Sequence, residues 1–282
     1  MIKIKLAKHA GFCFGVKRAV NLALKTAAEN KNQKISTLGP LIHNPQVTRD
    51  LAVHGIIDVT KQQMVRSGIV IVCSHGMHPL VLAILKKKKV TIVDATCPFV
   101  RKIEMIVKKL RKEKYTIVIV GDKEHPEVKA ITGYAGKKTI LIENVEDVGK
   151  LPRFKKVGVV AQTTQSIEKY DKICRKLMGK TDQLKIFNTI CDATQKRQEE
   201  AVHLAKEVEK MIVIGGYDSA NTKRLAKLSQ ELGRPTVHIE QAQDLDPRFL
   251  KNTHSVGVLA GASTPDWIIS DVIARIKQTE ES

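Results

Sequence analysis

Short apolar runs alternate along the chain with longer stretches in which apolar and charged residues mix. Each run is strand-like, ends at a glycine, a cysteine or a hydroxyl residue, and leads into a helix-like stretch. The first eight residues, MIKIKLAK, alternate apolar and basic positions and predict a half-buried strand. Three segments then share one order. KLAKHAGFCFGVKRAV, VTIVDATCPFVRKIE and LKIFNTICDATQKRQE each run as a strand, reach Cys13, Cys97 or Cys191, and turn into a helix. Basic residues follow each cysteine by four or five positions: Lys17 and Arg18, Arg101 and Lys102, and Lys196 beside Gln195.

Two further triplets keep the same order. KISTLGPLIHNPQV, YTIVIVGDKEHPEV and KMIVIGGYDSANTKRL each pass from a strand through glycine to a polar loop, which carries His43, then His125 with Glu127, then Ser219 with Asn221. GIVIVCSHGMHPLV, KVGVVAQTTQSIEK and SVGVLAGASTPDWI end their strands on Ser74 and His75, Thr163 and Thr164, and Ser263 and Thr264. The cysteines stand 84 and 94 residues apart, too far for a solenoid repeat. The pattern predicts an α/β protein of three pseudo-symmetric lobes, at 13–96, 97–190 and 191–282, with the strand within 1–12 packed on the third. Strands followed by helices make mainly parallel sheets, whose functional loops lie beyond the carboxyl ends of the strands. Lobes arranged about a pseudo-threefold axis would bring the polar corners to one central cavity.

Composition narrows the chemistry. The net charge of +19 would suit nucleic acid, an anionic membrane surface or an acidic partner. Most of it reads as a solvated lysine coat, because beyond the run Lys86 to Lys89 the cations are spread among acids. Aromatic residues make up only 4%, which leaves no base-stacking surface, and no helix-turn-helix, zinc-finger or RRM signature is present. No nucleic-acid partner is expected. No apolar run approaches the roughly 18 residues of a membrane span. The N-terminus lacks the unbroken apolar core of a secretion signal, so the expected setting is the cytoplasm. Five cysteines, an odd number, argue against a disulfide framework there.

Metal binding therefore becomes the leading role for the matched cysteines. A helix N-terminus favours the thiolate, the metal-binding form. Three thiolates suit zinc with a fourth ligand, or three irons of a 4Fe–4S cluster with one iron left open to a substrate oxygen. No CxxC pair is present to choose between them. Cys73, at the end of a buried-looking strand, and Cys174, in a helical stretch, read as packing residues. The remaining corners carry His, Ser, Thr and Asn, a set that can wrap a phosphate with neutral donors and helix N-termini. Such an anion would favour imidazolium at His43, His75 and His125. Glu127 fits either a proton donor beside that anion or an ordinary first-turn helix residue.

The motifs AGFCFGVKRAV, GPLIHNPQV, CSHG, VDATCPFV, GDKEHPEV, QTTQS, CDATQKRQE, SANTKRL and GASTPDW resemble those of the 4-hydroxy-3-methylbut-2-enyl diphosphate reductase family, in order from about residue 10 to 268. The resemblance implies a three-lobed α/β protein with a central 4Fe–4S cluster on Cys13, Cys97 and Cys191. It implies that His43, His75, His125, Ser219, Asn221 and Ser263 hold the diphosphate, and that Thr163 and Glu127 lie near the substrate hydroxyl, with Glu127 feeding the proton. It also implies reductive removal of that hydroxyl to give isopentenyl and dimethylallyl diphosphate, with ferredoxin or flavodoxin as electron donor. One position departs from the family's frequent Ser-Ser-Asn: Ala220 replaces the middle serine and keeps only its backbone N–H for an anion. The alternative from the residues alone is a zinc-dependent phosphate-ester hydrolase with a Cys₃His site.

Overall fold

The computed structural model describes residues 2–61 and 65–279. Met1, at the start of the expected first strand, and 280–282, at the end of the expected third lobe, lie outside the described residues. The chain forms two compact units. One takes the N-terminal strand up to Val16, the segment His43–Val47 and the chain from Asp192 onward; the other takes Lys17–Ile42 and Thr48–Cys191.

The first unit contains one four-stranded sheet. Its strands are β1 (Lys3–Leu6), β10 (Lys210–Ile214), β11 (Thr236–Ile239) and β12 (Ser255–Ala260), in the order β11-β10-β12-β1. The second unit contains two sheets. β2 (Ile35–Leu38), β3 (Ile56–Val59), β4 (Ser67–Val72) and β5 (Lys89–Asp94) are ordered β3-β2-β4-β5. β6 (Thr116–Val120), β7 (Thr139–Ile142), β8 (Phe154–Ala161) and β9 (Thr181–Ile186) are ordered β7-β6-β8-β9. Every strand pair is parallel. The three sheets thus share one order, second-first-third-fourth. In the first unit the fourth place is filled by β1, from the opposite end of the sequence.

The period-2 alternation of strand side chains explains why these sheets carry helices on both faces. On β10, Ile212 and Ile214 point to one face and meet Ile268, Ile269, Val272 and Ile276 of α9 (Asp266–Gln278). Met211 and Val213 point to the other and meet Ala201 and Leu204 of α7 (Asp192–Glu207) and Leu225 of α8 (Ala220–Glu231). In the second unit, α4 (Pro98–Lys112) lays Ile103, Val107 and Leu110 on Ile117, Ile119 and Val160. α6 (Ile167–Met178) covers the opposite face, with Tyr170, Ile173 and Leu177 on Val118, Val157 and Val159. Each such aliphatic side chain, fully buried, contributes about 1.5–3 kcal/mol. The approach of α4 depends on Gly158 of β8, because a Cβ there would lie 2.6 Å from both Leu110 methyl carbons.

Parallel pairing sends all four strand ends of a sheet to one edge, where the polar corners stand. Among the described residues no helix is long and apolar enough to cross a membrane.

Candidate functional site

The cysteines occupy the same corner of each sheet, in the loop after the fourth strand. Cys97 is the N-cap of α4, and Pro98, which needs no N–H acceptor, opens that helix. Cys13 precedes α1 (Phe14–Glu29), and its sulfur accepts the Val16 N–H at 3.5 Å. Cys191 precedes α7. Each cysteine N–H donates to a carbonyl at the end of the third strand of its own sheet: Cys13 to Ala262 at 3.0 Å, Cys97 to Ser74 at 2.9 Å and Cys191 to Thr163 at 3.0 Å. These bonds correct the expected alignment of the third triplet by one residue. Ala262, not Ser263, matches Ser74 and Thr163, and Ser263 matches His75 and Thr164. The glycine-rich strand end of the third lobe hides that register in the sequence.

The three corner cysteines are partly exposed and free of disulfides. Cys73 and Cys174 are buried, as packing residues should be. Burial pushes the Cys73 thiol up to about 12 and the Cys174 thiol up to about 11, which opposes thiolate formation.

In the second unit the expected residues form an unbroken series from one cysteine corner to the other. The Cys97 N–H is held by the carbonyl of Ser74. The ring of the next residue, His75, stands edge-on to that of His125, with centroids 5.7 Å apart. His125 caps α5 (Pro126–Ala135), and its Nδ1 accepts the Glu127 N–H at 3.1 Å. This bond leaves the proton of a neutral His125 ring on Nε2. Glu127 is buried, and its Oε1 and Oε2 accept the Thr163 N–H and hydroxyl, each at 2.6 Å. The Thr163 carbonyl in turn holds Cys191. Glu127 therefore serves a residue on another strand end rather than its own helix terminus.

The first unit holds a second series. The Cys13 N–H is bonded to Ala262, and the hydroxyl of the following Ser263 donates to the His43 carbonyl at 3.1 Å. That carbonyl lies against Gly216, where a Cβ would stand 2.6 Å from the oxygen, so only glycine fits. Ser219 follows and caps α8 by accepting the Thr222 N–H at 3.3 Å. Ala220 and Asn221 form the first turn of α8, where N–H groups have no intrahelical acceptor. The Asn221 side-chain Nδ2 is buried without a hydrogen-bond partner among the described residues. A buried orphaned donor beside a helix N-terminus suits an anion. Burial holds the His43 imidazole below its ordinary value, with Asp218 acting to raise it and Lys223 to lower it further.

The basic residues after the cysteines take different roles. Arg18 Nη1 donates to the Thr96 carbonyl at 3.2 Å, just before Cys97. Arg101 pairs with Asp94 and with the buried Glu104. Lys196 makes a surface pair with Asp192. The buried cation of the third helix is Arg197, which the sequence reading passed over. Its Nη1 donates to Ala193 at 2.9 Å and its Nη2 to Gly11 at 2.6 Å, two residues before Cys13. Only its place one step past the expected Lys196 could have marked it. A groove of about 520 Å³ in the first unit, lined by Lys5, Leu6, His9, Glu200, His203 and Glu207 among others, touches none of the expected site residues.

Among the described residues, no three His, Cys, Asp or Glu side chains group as the ligands of a single metal ion would. Zinc needs such a tight shell. A cubane gives each cysteine a different iron, and Cys13, Cys97 and Cys191 are partly exposed and outside any disulfide.

Fold and corners together define a three-lobed, parallel α/β protein with cysteine corners joined to residues suited to an anion. The chain belongs to the LytB protein family, whose model matches residues 4–277. It is similar to the 4-hydroxy-3-methylbut-2-enyl diphosphate reductases of Geobacter sulfurreducens, 48% identical over 277 residues, and Pelobacter propionicus, 47% identical over 275, with 98% of both chains covered in each case. Among solved structures it resembles the E-1-hydroxy-2-methyl-but-2-enyl-4-diphosphate reductase from Plasmodium falciparum, with a TM-score of 0.92 at 33% identity over 97% of this chain and 87% of that one. A structure of (E)-4-hydroxy-3-methyl-but-2-enyl diphosphate reductase, described as the terminal enzyme of the non-mevalonate pathway, matches with a TM-score of 0.70 at 44% identity, covering 99% of this chain and all of the other.

Proposed function

We infer that the chain is an iron–sulfur oxidoreductase of isoprenoid biosynthesis. It removes the hydroxyl of 4-hydroxy-3-methylbut-2-enyl diphosphate with two electrons and two protons, releasing water and giving isopentenyl and dimethylallyl diphosphate. The observation that carries this reading is the unbroken series Cys97–Ser74–His75–His125–Glu127–Thr163–Cys191, which sets a buried carboxylate between two thiol corners. The relatives' shared name supports it and gives the zinc-dependent hydrolase no footing.

Cys13, Cys97 and Cys191 are the ligands in this reading, and a 4Fe–4S cluster bound there would supply single electrons and an iron without a protein ligand. His43, His75, His125, Ser219, Asn221 and Ser263 hold the diphosphate, with Ala220 contributing its backbone N–H. Anchoring that end fixes the reacting carbon and removes much of the entropic part of the barrier. A proton on Glu127 Oε2 passes to the substrate through Thr163: the hydroxyl gives its own proton to the leaving oxygen and takes the one from Glu127. Residues 13–96, 97–190 and 191–282 are taken as the lobes, with strand 1–12 completing the third. The electrons come from a ferredoxin- or flavodoxin-type carrier in the cytoplasm.

The test is turnover of the diphosphate by anaerobically purified protein carrying Glu127→Gln. An amide in place of the carboxylate cannot supply the acid proton, so the rate should fall at least about 100-fold while iron content and visible spectrum stay unchanged. Normal turnover would remove Glu127 from the mechanism.

A further inference from the structure

Helix α4 begins at the Cys97 corner and has two unlike faces. Val100, Ile103, Val107 and Leu110 are buried, and the single acid of the helix, Glu104, is buried with them and paired to Arg101. The outward stripe reads Phe99, Lys102, Met105, Lys109, Lys112, the spacing of one helical face. Phe99 is 41% exposed and Met105 63% exposed, large apolar side chains between cations. Lys102, Lys109 and Lys112 make no ion pair among the described residues. The helix after Cys191 differs: α7 carries Asp192, Glu199 and Glu207 on its surface among its lysines, so its field is mixed.

We propose that this face of α4 is the docking surface for a small acidic one-electron carrier. The proposal rests on the reductase reading, in which Cys97 holds the cluster. Lysines without an ion pair complement a carrier's carboxylates and speed its encounter, and Phe99 with Met105 supplies the desolvated centre that fixes the encounter complex. The helix rises about 1.5 Å per residue, so Met105 lies about 12 Å along the axis from Cys97 and Phe99 only about 3 Å. In each encounter the carrier loses one electron and the protein gains it. Two encounters complete one turnover.

The experiment compares the wild-type holoenzyme with the triple variant Lys102→Glu, Lys109→Glu, Lys112→Glu, using a reduced acidic 2Fe–2S ferredoxin and, separately, saturating dithionite. A second triple variant, Lys137→Glu, Lys138→Glu, Lys206→Glu, makes the same charge change at exposed lysines elsewhere. The α4 variant should lose at least tenfold in the ferredoxin reduction rate at low salt and most of its salt dependence, with dithionite-driven turnover unchanged. Phe99→Ala should slow ferredoxin reduction at every salt concentration. An equal loss in both triple variants would mean diffuse steering by net charge and would overturn the proposal, as would an unchanged rate in the α4 variant. A wild-type chain that binds no iron and shows no dithionite turnover overturns the reductase reading, and this proposal with it.

Discussion

Glu127 holds the second position of a helix, where a carboxylate ordinarily answers the helix dipole. Both of its oxygens instead go to Thr163, which lies 36 positions further along the chain. Without the family resemblance, the sequence shows the residue and its corner but not the partner, and so leaves its two roles level. Arg197 was hidden for the same reason: the Gly11 carbonyl it holds is 186 positions away. His43 was visible as a histidine at a matched corner, but its environment was not. Burial lowers its pKa, which favours the neutral ring. An anion favours the imidazolium, so binding should take up a proton, and affinity should fall as pH rises through the value of the bound state. Calorimetry with inorganic pyrophosphate near neutral pH, in two buffers of different ionisation heat, should show net proton uptake that is smaller in His43→Asn. Equal uptake in the two proteins would remove His43 from the anion site.

At the scale of elements, the strand-and-helix order was legible because short buried strands and amphipathic helices write different periods. The contacts that seat one element on another were not. Gly158 reads as a weak point in a strand, yet it is where Leu110 of α4 leaves no room for a Cβ. Gly158→Val should cost about 1–3 kcal/mol through overpacking against Leu110 and lower the melting temperature. Adding Leu110→Ala to that variant should recover part of the loss, with a coupling visible in a double-mutant cycle. Purely additive losses would show that the two side chains do not meet. The one-residue shift at Ala262 is a second case. Small residues in AGAST offer no side-chain landmark, and only the Cys13 N–H bond fixes the register.

Across the whole molecule, three sheets of one order were foreseeable from the recurrence of the corners at near-equal spacing. The alternation of β1 marks it as a half-buried strand, and its parallel pairing with β12 puts it in the fourth place of the last sheet. A fourth strand is required in each sheet to present a cysteine at its carboxyl end, and in the last sheet the chain's first strand is the one that does so. In the reductase reading the three corner thiols together hold one cluster. The most direct measurement is iron and sulfide content with the visible spectrum, on anaerobically prepared wild-type protein and on Cys13→Ser, Cys97→Ser and Cys191→Ser. The wild type should carry about four irons and four sulfides per chain, as one cubane requires, and each variant should lose most of them. A colourless wild type loaded with zinc, or any one of the three variants retaining a full and active cluster, would contradict it.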